Sequence, residues 1–163
     1  MGNIKTSDVS IEWSSVLEMV HESRIDSVGL NERVNSLATR SIKKDSKLEA
    51  LNMIVSMCDL TTLEGEDTEG KISQMVAKAI KPNPLDSSVP SVAAVCVYPS
   101  LVDIAKKKVQ HSNVKVAAVS SYFPSGQVPM ESKLLDTKYA IDSGADEIDI
   151  VINRKAFLEG DYR

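Results

Sequence analysis

The chain has 163 residues, 42% of them hydrophobic and 26% charged, which is the profile of one globular domain with enough apolar content for a sizeable core. A formal charge of −4 leaves no surplus of Lys and Arg for a phosphate backbone, so nucleic acid is not expected as a partner. Cys58 and Cys96 lie in apolar runs with no Cys-x-x-Cys pair, arguing against a zinc site or a disulfide framework and for reduced thiols in a cytoplasmic protein. No apolar stretch approaches the roughly 18–20 residues of a membrane span, and the N-terminus lacks a secretory apolar region.

Residues 1–45 read as an N-terminal helical extension. Met1-Gly2-Asn3-Ile4-Lys5-Thr6 fits the permissive pattern for N-myristoylation, with a chance Gly after Met as the plainer reading. Trp13, Val16, Leu17 and Val20 fall at i, i+3, i+4 and i+7, one apolar helix stripe with Ser10 as its cap. Gly29 and Asn31 mark a break before a second helix carrying Val34, Leu37 and Ala38. Ser41 to Asp45 reads as a linker, and Leu48, Leu51 and Val55 begin a third helix.

From residue 46 to 163 short apolar strands alternate with amphipathic helices. Met57 to Thr62 is strand-like. Ile72, Met75, Val76, Ala79 and Ile80 form a helix stripe stopped by Lys81-Pro82, because proline disfavours a helical residue before it. Val92 to Tyr98 is an uncharged run of seven. Ser100 and Asp103 have the spacing of a capping box for the helix bearing Leu101, Val102, Ile104, Ala105 and Val109, whose Lys106-Lys107-Lys108 run reads as a solvated face. Val116 to Ser120 is a third strand. A helix from about Glu131 follows, with Gly144 at its C′ position, and Glu147 to Ile152 is a fourth strand. Apolar strands joined by helical crossovers imply an α/β fold with a parallel sheet buried on both faces, as an open doubly wound sheet or a closed barrel.

No Gly-x-Gly-x-x-Gly, Gly-x4-Gly-Lys-Ser/Thr or His-Glu-x-x-His motif occurs, and His21 and His111 read as surface residues. In parallel α/β folds the chemistry gathers at the C-terminal strand ends. Those ends carry Thr61, Thr62 and Leu63; Cys96, Tyr98 and Pro99; Tyr122, Phe123, Pro124 and Gly126; and Asp149, Asn153 and Arg154. A buried Asp149 needs a partner or a shifted pKa, and an ion pair and a functional role are equally open; Asp59 raises the same question. Cys96 reads first as a small core hydrophobe.

Four segments carry a resemblance. Asp59-Leu60-Thr61-Thr62-Leu63, Ala93-Ala94-Val95-Cys96-Val97-Tyr98-Pro99, Phe123-Pro124-Ser125-Gly126 and the run from Gly144 through Asp149 to Arg154 resemble, in order and spacing, the strand motifs of the deoxyribose-phosphate aldolase family. The resemblance implies a (β/α)8 TIM barrel, with this chain covering about the first four β-α units. It implies a class I lyase that reversibly cleaves 2-deoxy-D-ribose 5-phosphate to D-glyceraldehyde 3-phosphate and acetaldehyde through a lysine Schiff base, without metal or other cofactor. By the same resemblance Asp149 takes part in proton transfer, Thr61, Leu63, Cys96 and Phe123 line the pocket around the small aldehyde, and Asp59 is an acid of the barrel interior.

The family's Schiff-base lysine and its partner lysine belong to the sixth and seventh strands, which have no counterpart here. Lys155 falls in an expected loop past the fourth strand and Lys115 at the wrong end of the third. A complete barrel takes about 250 residues. A lone half-barrel is therefore expected to associate, aggregate or unfold, because its first and fourth strands are bare edges. Three readings follow: part of a longer chain, a half completed by a second half-barrel or another copy, or a non-catalytic interaction protein on an aldolase-derived scaffold.

Overall fold

The structure is a computed structural model that describes residues 13–161. The proposed cap at Ser10 and the Gly2 pattern lie outside them. The chain divides into two compact units, residues up to 41 together with those from 156 on, and residues 42–155.

In the first unit, α1 is Trp13–Glu22 and α2 is Ser27–Ala38. The expected break at Gly29 and Asn31 does not occur. Both lie inside α2, because Asp26 caps it and its carboxylate accepts the Gly29 N–H at 2.9 Å. The helix α3, Lys44–Ser56, starts within the expected linker, and neither α2 nor α3 buries a residue.

In the second unit four strands alternate with helices: β1 (Asp59–Thr61), α4 (Glu69–Ile80), β2 (Ala94–Val97), a 3-10 turn (Pro99–Leu101), α5 (Val102–Lys108), β3 (Lys115–Val119), α6 (Met130–Asp142), β4 (Glu147–Asp149) and the start of α7 (Arg154–Leu158). The strands form one sheet in the order β1-β2-β3-β4, every pair parallel. Ser100 and Asp103 do not form a capping box. The 3-10 turn occupies that position without a side-chain cap, and Asp103 pairs with Lys107 at 3.2 Å. Lys155 lies in α7 rather than in a loop.

Alternation along the strands separates two faces. Leu60, Val95, Val97, Val116, Ala118 and Ile148 face the helices. There they pack with Ile72, Val76 and Ala79 of α4, Val102 and Ala105 of α5, and Ala140 of α6. This is the larger core. The opposite face carries Asp59, Thr61, Ala94, Cys96, Ala117, Val119, Glu147 and Asp149; Leu63, Tyr98 and Phe123 pack over its buried centre, while Asp59, Thr61, Glu147 and Asp149 on the two outer strands are exposed.

Local devices fix the helices and the sheet's lower end. Gly144 stands at φ +101 and closes α6, with its N–H bonded to Ile141 O at 2.9 Å and the Ala145 N–H to Ala140 O at 3.1 Å, the paired bonds of a Schellman motif. Asp146 then clamps β4 to β3. Its N–H donates to Val116 O at 2.8 Å, one carboxylate oxygen accepts the Val116 N–H at 2.9 Å, and the other meets Lys106 Nζ at 2.5 Å.

In the β1–α4 loop the Asp67 side chain is 1% exposed and fully used, accepting from Thr62 Oγ1 at 2.9 Å, the Glu64 N–H at 3.0 Å and Lys71 Nζ at 2.6 Å. Burial raises the pKa of Asp67, but bonds from Lys71, the Glu64 N–H and Thr62 outweigh it and hold the group below its ordinary 3.8. Asp146 is likewise held down, where burial is outweighed by Lys106 and the Val116 N–H.

A depressed folded-state pKa stabilises the fold above the unfolded value and loses that contribution as pH falls through the folded value. The thermal midpoint should therefore be flat from about pH 7 to pH 5 and fall steeply below about pH 4. Asp67→Asn should lower the plateau and flatten the acid limb. An unchanged limb would remove Asp67 from this account.

Candidate active site

The face turned away from the larger core is built in rows across the register. Thr61 pairs with Cys96, Cys96 with Ala117, and Ala117 with Glu147; one row lower stand Asp59, Ala94 and Lys115; toward the C-terminal ends Val119 pairs with Asp149. Ala94, Cys96, Ala117 and Val119 form a small buried cluster against which Leu63, Tyr98 and Phe123 pack. Four of the residues singled out from the sequence thus meet at Cys96: Leu63 and Phe123 in its cluster, and Thr61 and Asp59 beside it.

The electrostatics of the Cys96 thiol report its surroundings. Its pKa is pushed up to about 11, first by burial and then by the negative charges of Asp149 and Asp59, while hydrogen bonding to Thr61 and to the Val119 backbone pulls the other way. The sulfur therefore stays protonated at neutral pH and packs as a hydrophobe rather than acting as a nucleophile. Iodoacetamide at neutral pH should modify exposed Cys58 and leave Cys96, 2% exposed, untouched until the chain is denatured. Rapid alkylation of Cys96 in the folded chain would contradict this geometry.

Asp149 and Asp59 are exposed, so the expectation of buried carboxylates within apolar strands does not hold for these residues. Both stand on the open face of an edge strand. Neither enters an ion pair among the described residues. Glu147, which the sequence reading missed, lies on the same face in the row of Cys96.

The mouth is shaped by the segments that leave β1, β2 and β3. The Tyr98 hydroxyl donates to Leu63 O at 3.1 Å, and the Thr62 N–H to Cys96 O at 3.1 Å, tying the β1 exit to the end of β2. After β3, Ser121 and Tyr122 both take left-handed backbone, φ +59 and +57, at a cost of about 1–2 kcal/mol each for residues with a side chain. The turn bonds Phe123 N–H to Ser120 O at 3.2 Å and returns Phe123 to the inner cluster. The Ser120 and Thr137 hydroxyls lie 2.7 Å apart and Arg154 donates to Pro124 O at 3.2 Å. At Gly126, φ +66, a Cβ would come 3.0 Å from Val151 Cγ1, so this turn can press against the segment after β4 only as glycine.

Between the ends of β2 and β3 and the middle of α6 lies a cavity of about 210 Å³, lined by Tyr98, Val119, Ser120, Tyr122, Phe123 and Asp136. No group of three His, Cys, Asp or Glu side chains among the described residues is placed to hold a metal ion, and no described helix is long and apolar enough to cross a membrane.

Residues 53–162 match the DeoC/LacD family aldolase. The chain belongs to this aldolase family. It is 34% identical over 167 residues to human deoxyribose-phosphate aldolase, covering 96% of this chain and 51% of that protein. The mouse deoxyribose-phosphate aldolase is 32% identical with the same coverage. Among solved structures, the aldolase QR15 superposes with a TM-score of 0.57 at 29% identity, over 67% of this chain and 44% of that one. The tetrameric deoxyribose phosphate aldolase of Aeropyrum pernix superposes with a TM-score of 0.52 at 25% identity, over 64% and 41%. The chain spans about half the length of the curated relatives it matches. Its four parallel strands and their helices are accordingly a partial TIM-barrel-like aldolase fold, and the face turned away from the larger core is the one that a closed barrel of this family turns inward.

Proposed function

We propose that this chain supplies the first half of the active site of a deoxyribose-phosphate aldolase, a class I lyase that cleaves 2-deoxy-D-ribose 5-phosphate to glyceraldehyde 3-phosphate and acetaldehyde. The observation that carries the reading is the convergence on one sheet face of Asp149, Asp59 and Thr61 around the buried Cys96 thiol, with Leu63 and Phe123 packed on the same cluster. Leu63, Cys96 and Phe123 supply apolar surface for the small aldehyde. Thr61 and Asp59 add polar groups beside it.

In this chemistry a neutral lysine amine attacks the substrate aldehyde and loses water to give a protonated imine. A base takes the proton from the C3 hydroxyl, the C2–C3 bond breaks, and its electrons flow into the imine to form an enamine. Protonation at C2 and hydrolysis then release acetaldehyde and return the amine. Asp149 is assigned the proton transfers, through water, because it is a carboxylate at the C-terminal end of β4 on the face the substrate meets. Lys115, on the same sheet face, does not reach that end. Lys115 begins β3, four residues and roughly 13 Å below the level of Val119. The reading therefore requires a lysine from a complementary β/α half, and places the phosphorylated sugar between the two.

The test is to isolate the native protein, measure its intact mass and assay acetaldehyde release from deoxyribose 5-phosphate. Cleavage by a species near twice the 17.7 kDa of these residues, or by a complex of this chain with a second polypeptide, is the expected result. A native species of 17.7 kDa that never cleaves the substrate would instead favour an interaction protein on an aldolase scaffold, for which the two bare sheet edges speak.

A further inference from the structure

At the opposite end of the sheet from the mouth, the turn joining α5 to β3 and the residue before β4 enclose a recess of about 430 Å³. Its floor is apolar, with Val109 and Val114 5% and 3% exposed. Its walls and rim carry Lys106, Gln110, His111, Asn113, Lys115 and Asp146. In a chain of net charge −4 this recess gathers two ammonium groups against a single carboxylate.

That carboxylate is already spent: one oxygen of Asp146 holds Lys106 and the other the Val116 N–H. Lys115 acts on the Asp146 carboxylate at a distance without bonding it, and neither Lys115 nor His111 enters an ion pair among the described residues. His111, which takes left-handed backbone at φ +70, lines the recess with Gln110 and Asn113, whose side chains are of types that can donate hydrogen bonds. The last carbonyls of α5 bring some negative potential to the same place, and Lys106, Lys107 and Lys108 in its last turn oppose it. The volume exceeds what a bare ion fills. Every wall comes from residues 106–146, so the recess is formed without the partner half that the mouth requires.

We propose that this recess binds phosphate, as the free ion or as the phosphate end of a small phosphorylated molecule, with Lys115 as its principal charge and Lys106, His111, Gln110 and Asn113 as further donors. The site is independent of the aldolase reading, because it lies at the far end of the sheet from Asp149 and uses none of the mouth residues.

The experiment is an NMR titration of the isotopically labelled chain with sodium phosphate, glycerol 3-phosphate and sodium chloride at matched ionic strength and constant pH. Saturable shifts confined to residues 106–116 with both phosphates, and absent with chloride, are expected. Glycerol 3-phosphate binding more tightly than the free ion assigns a phosphoester as the natural ligand, and equal affinity assigns the free ion. Lys115→Gln should weaken phosphate binding about tenfold, the loss expected for one charge-assisted contact. His111→Gly, which suits the left-handed backbone, should weaken it less and serves as the second variant if Lys115→Gln fails to fold. Shifts that grow linearly and equally with chloride, or variants that bind phosphate as tightly as the parent chain, would overturn the proposal.

Discussion

In the assembly that cleaves deoxyribose 5-phosphate, Asp149→Asn should lower turnover by about 10²–10⁴-fold, the range for loss of a positioned acid–base group. The melting temperature should hardly move. The reason for the second half of that statement lies in the fold: Asp149 is exposed on the open face of an edge strand and enters no ion pair among the described residues, so its charge supports no buried partner. Its backbone carbonyl accepts the Ser120 N–H at 2.9 Å, and asparagine keeps that bond. Substrate affinity should change less than turnover, because the carboxylate is assigned to proton movement and not to holding the sugar. Asp59→Asn, lower on the same face, should cost less. The measurement is steady-state acetaldehyde release by both variants beside their thermal melts. Equal turnover in Asp149→Asn and the parent would remove Asp149 from the proton path.

How far the sequence could be read followed how locally each feature is determined. The helix stripe of Ile72, Val76 and Ala79 was legible because burial of one side of a helix dictates its periodicity, and the run Val92 to Tyr98 because a strand buried on both faces is apolar throughout; the structure gives α4 and β2 there. Gly144 was legible because a helix stop in left-handed backbone selects glycine. The misreadings came from competition between local signals. The Asp26 cap overrode Gly29 as a breaker, and Pro99 opened a 3-10 turn where the Ser100/Asp103 spacing suggested a capping box. The strand expected to reach Ile152 ends at Asp149, because β3 turns away after Ser120, where Ser121 and Tyr122 take left-handed backbone and the ladder loses its partner.

At the candidate site the four motifs named the residues, and alternation put Asp59, Thr61, Cys96 and Asp149 on a common face. The same alternation could have added Glu147 and did not. Tyr122 was named at the end of the third strand, but Asp136 carried no local signal, since its meeting with Tyr122 at the cavity depends on where α6 returns beside the end of β3. Nor could composition reveal that the two aspartates are exposed. That depends on what covers the sheet, which is not a local property.

Val97→Asp should unfold the 163-residue chain, while Thr61→Asp should leave its stability within about 1 kcal/mol. The two residues lie on adjacent strands of one sheet, and only the face they present differs. Val97 is fully buried among the residues that pack the helices onto the sheet. Removing it forfeits about 1.5–3 kcal/mol of apolar burial, and placing an unpaired carboxylate there adds several more. That sum is comparable with the roughly 5–15 kcal/mol by which a domain is stable at all, so the cooperative melt should disappear. Thr61 is exposed on the other face, where a carboxylate stays hydrated and meets only the moderate repulsion of Asp59. Far-UV circular dichroism through a thermal melt of each variant is sufficient. If Thr61→Asp proves as damaging as Val97→Asp, something must cover the open face in solution. The acidic row on that face would then be in contact with a partner, and the most economical partner is one that brings a cation.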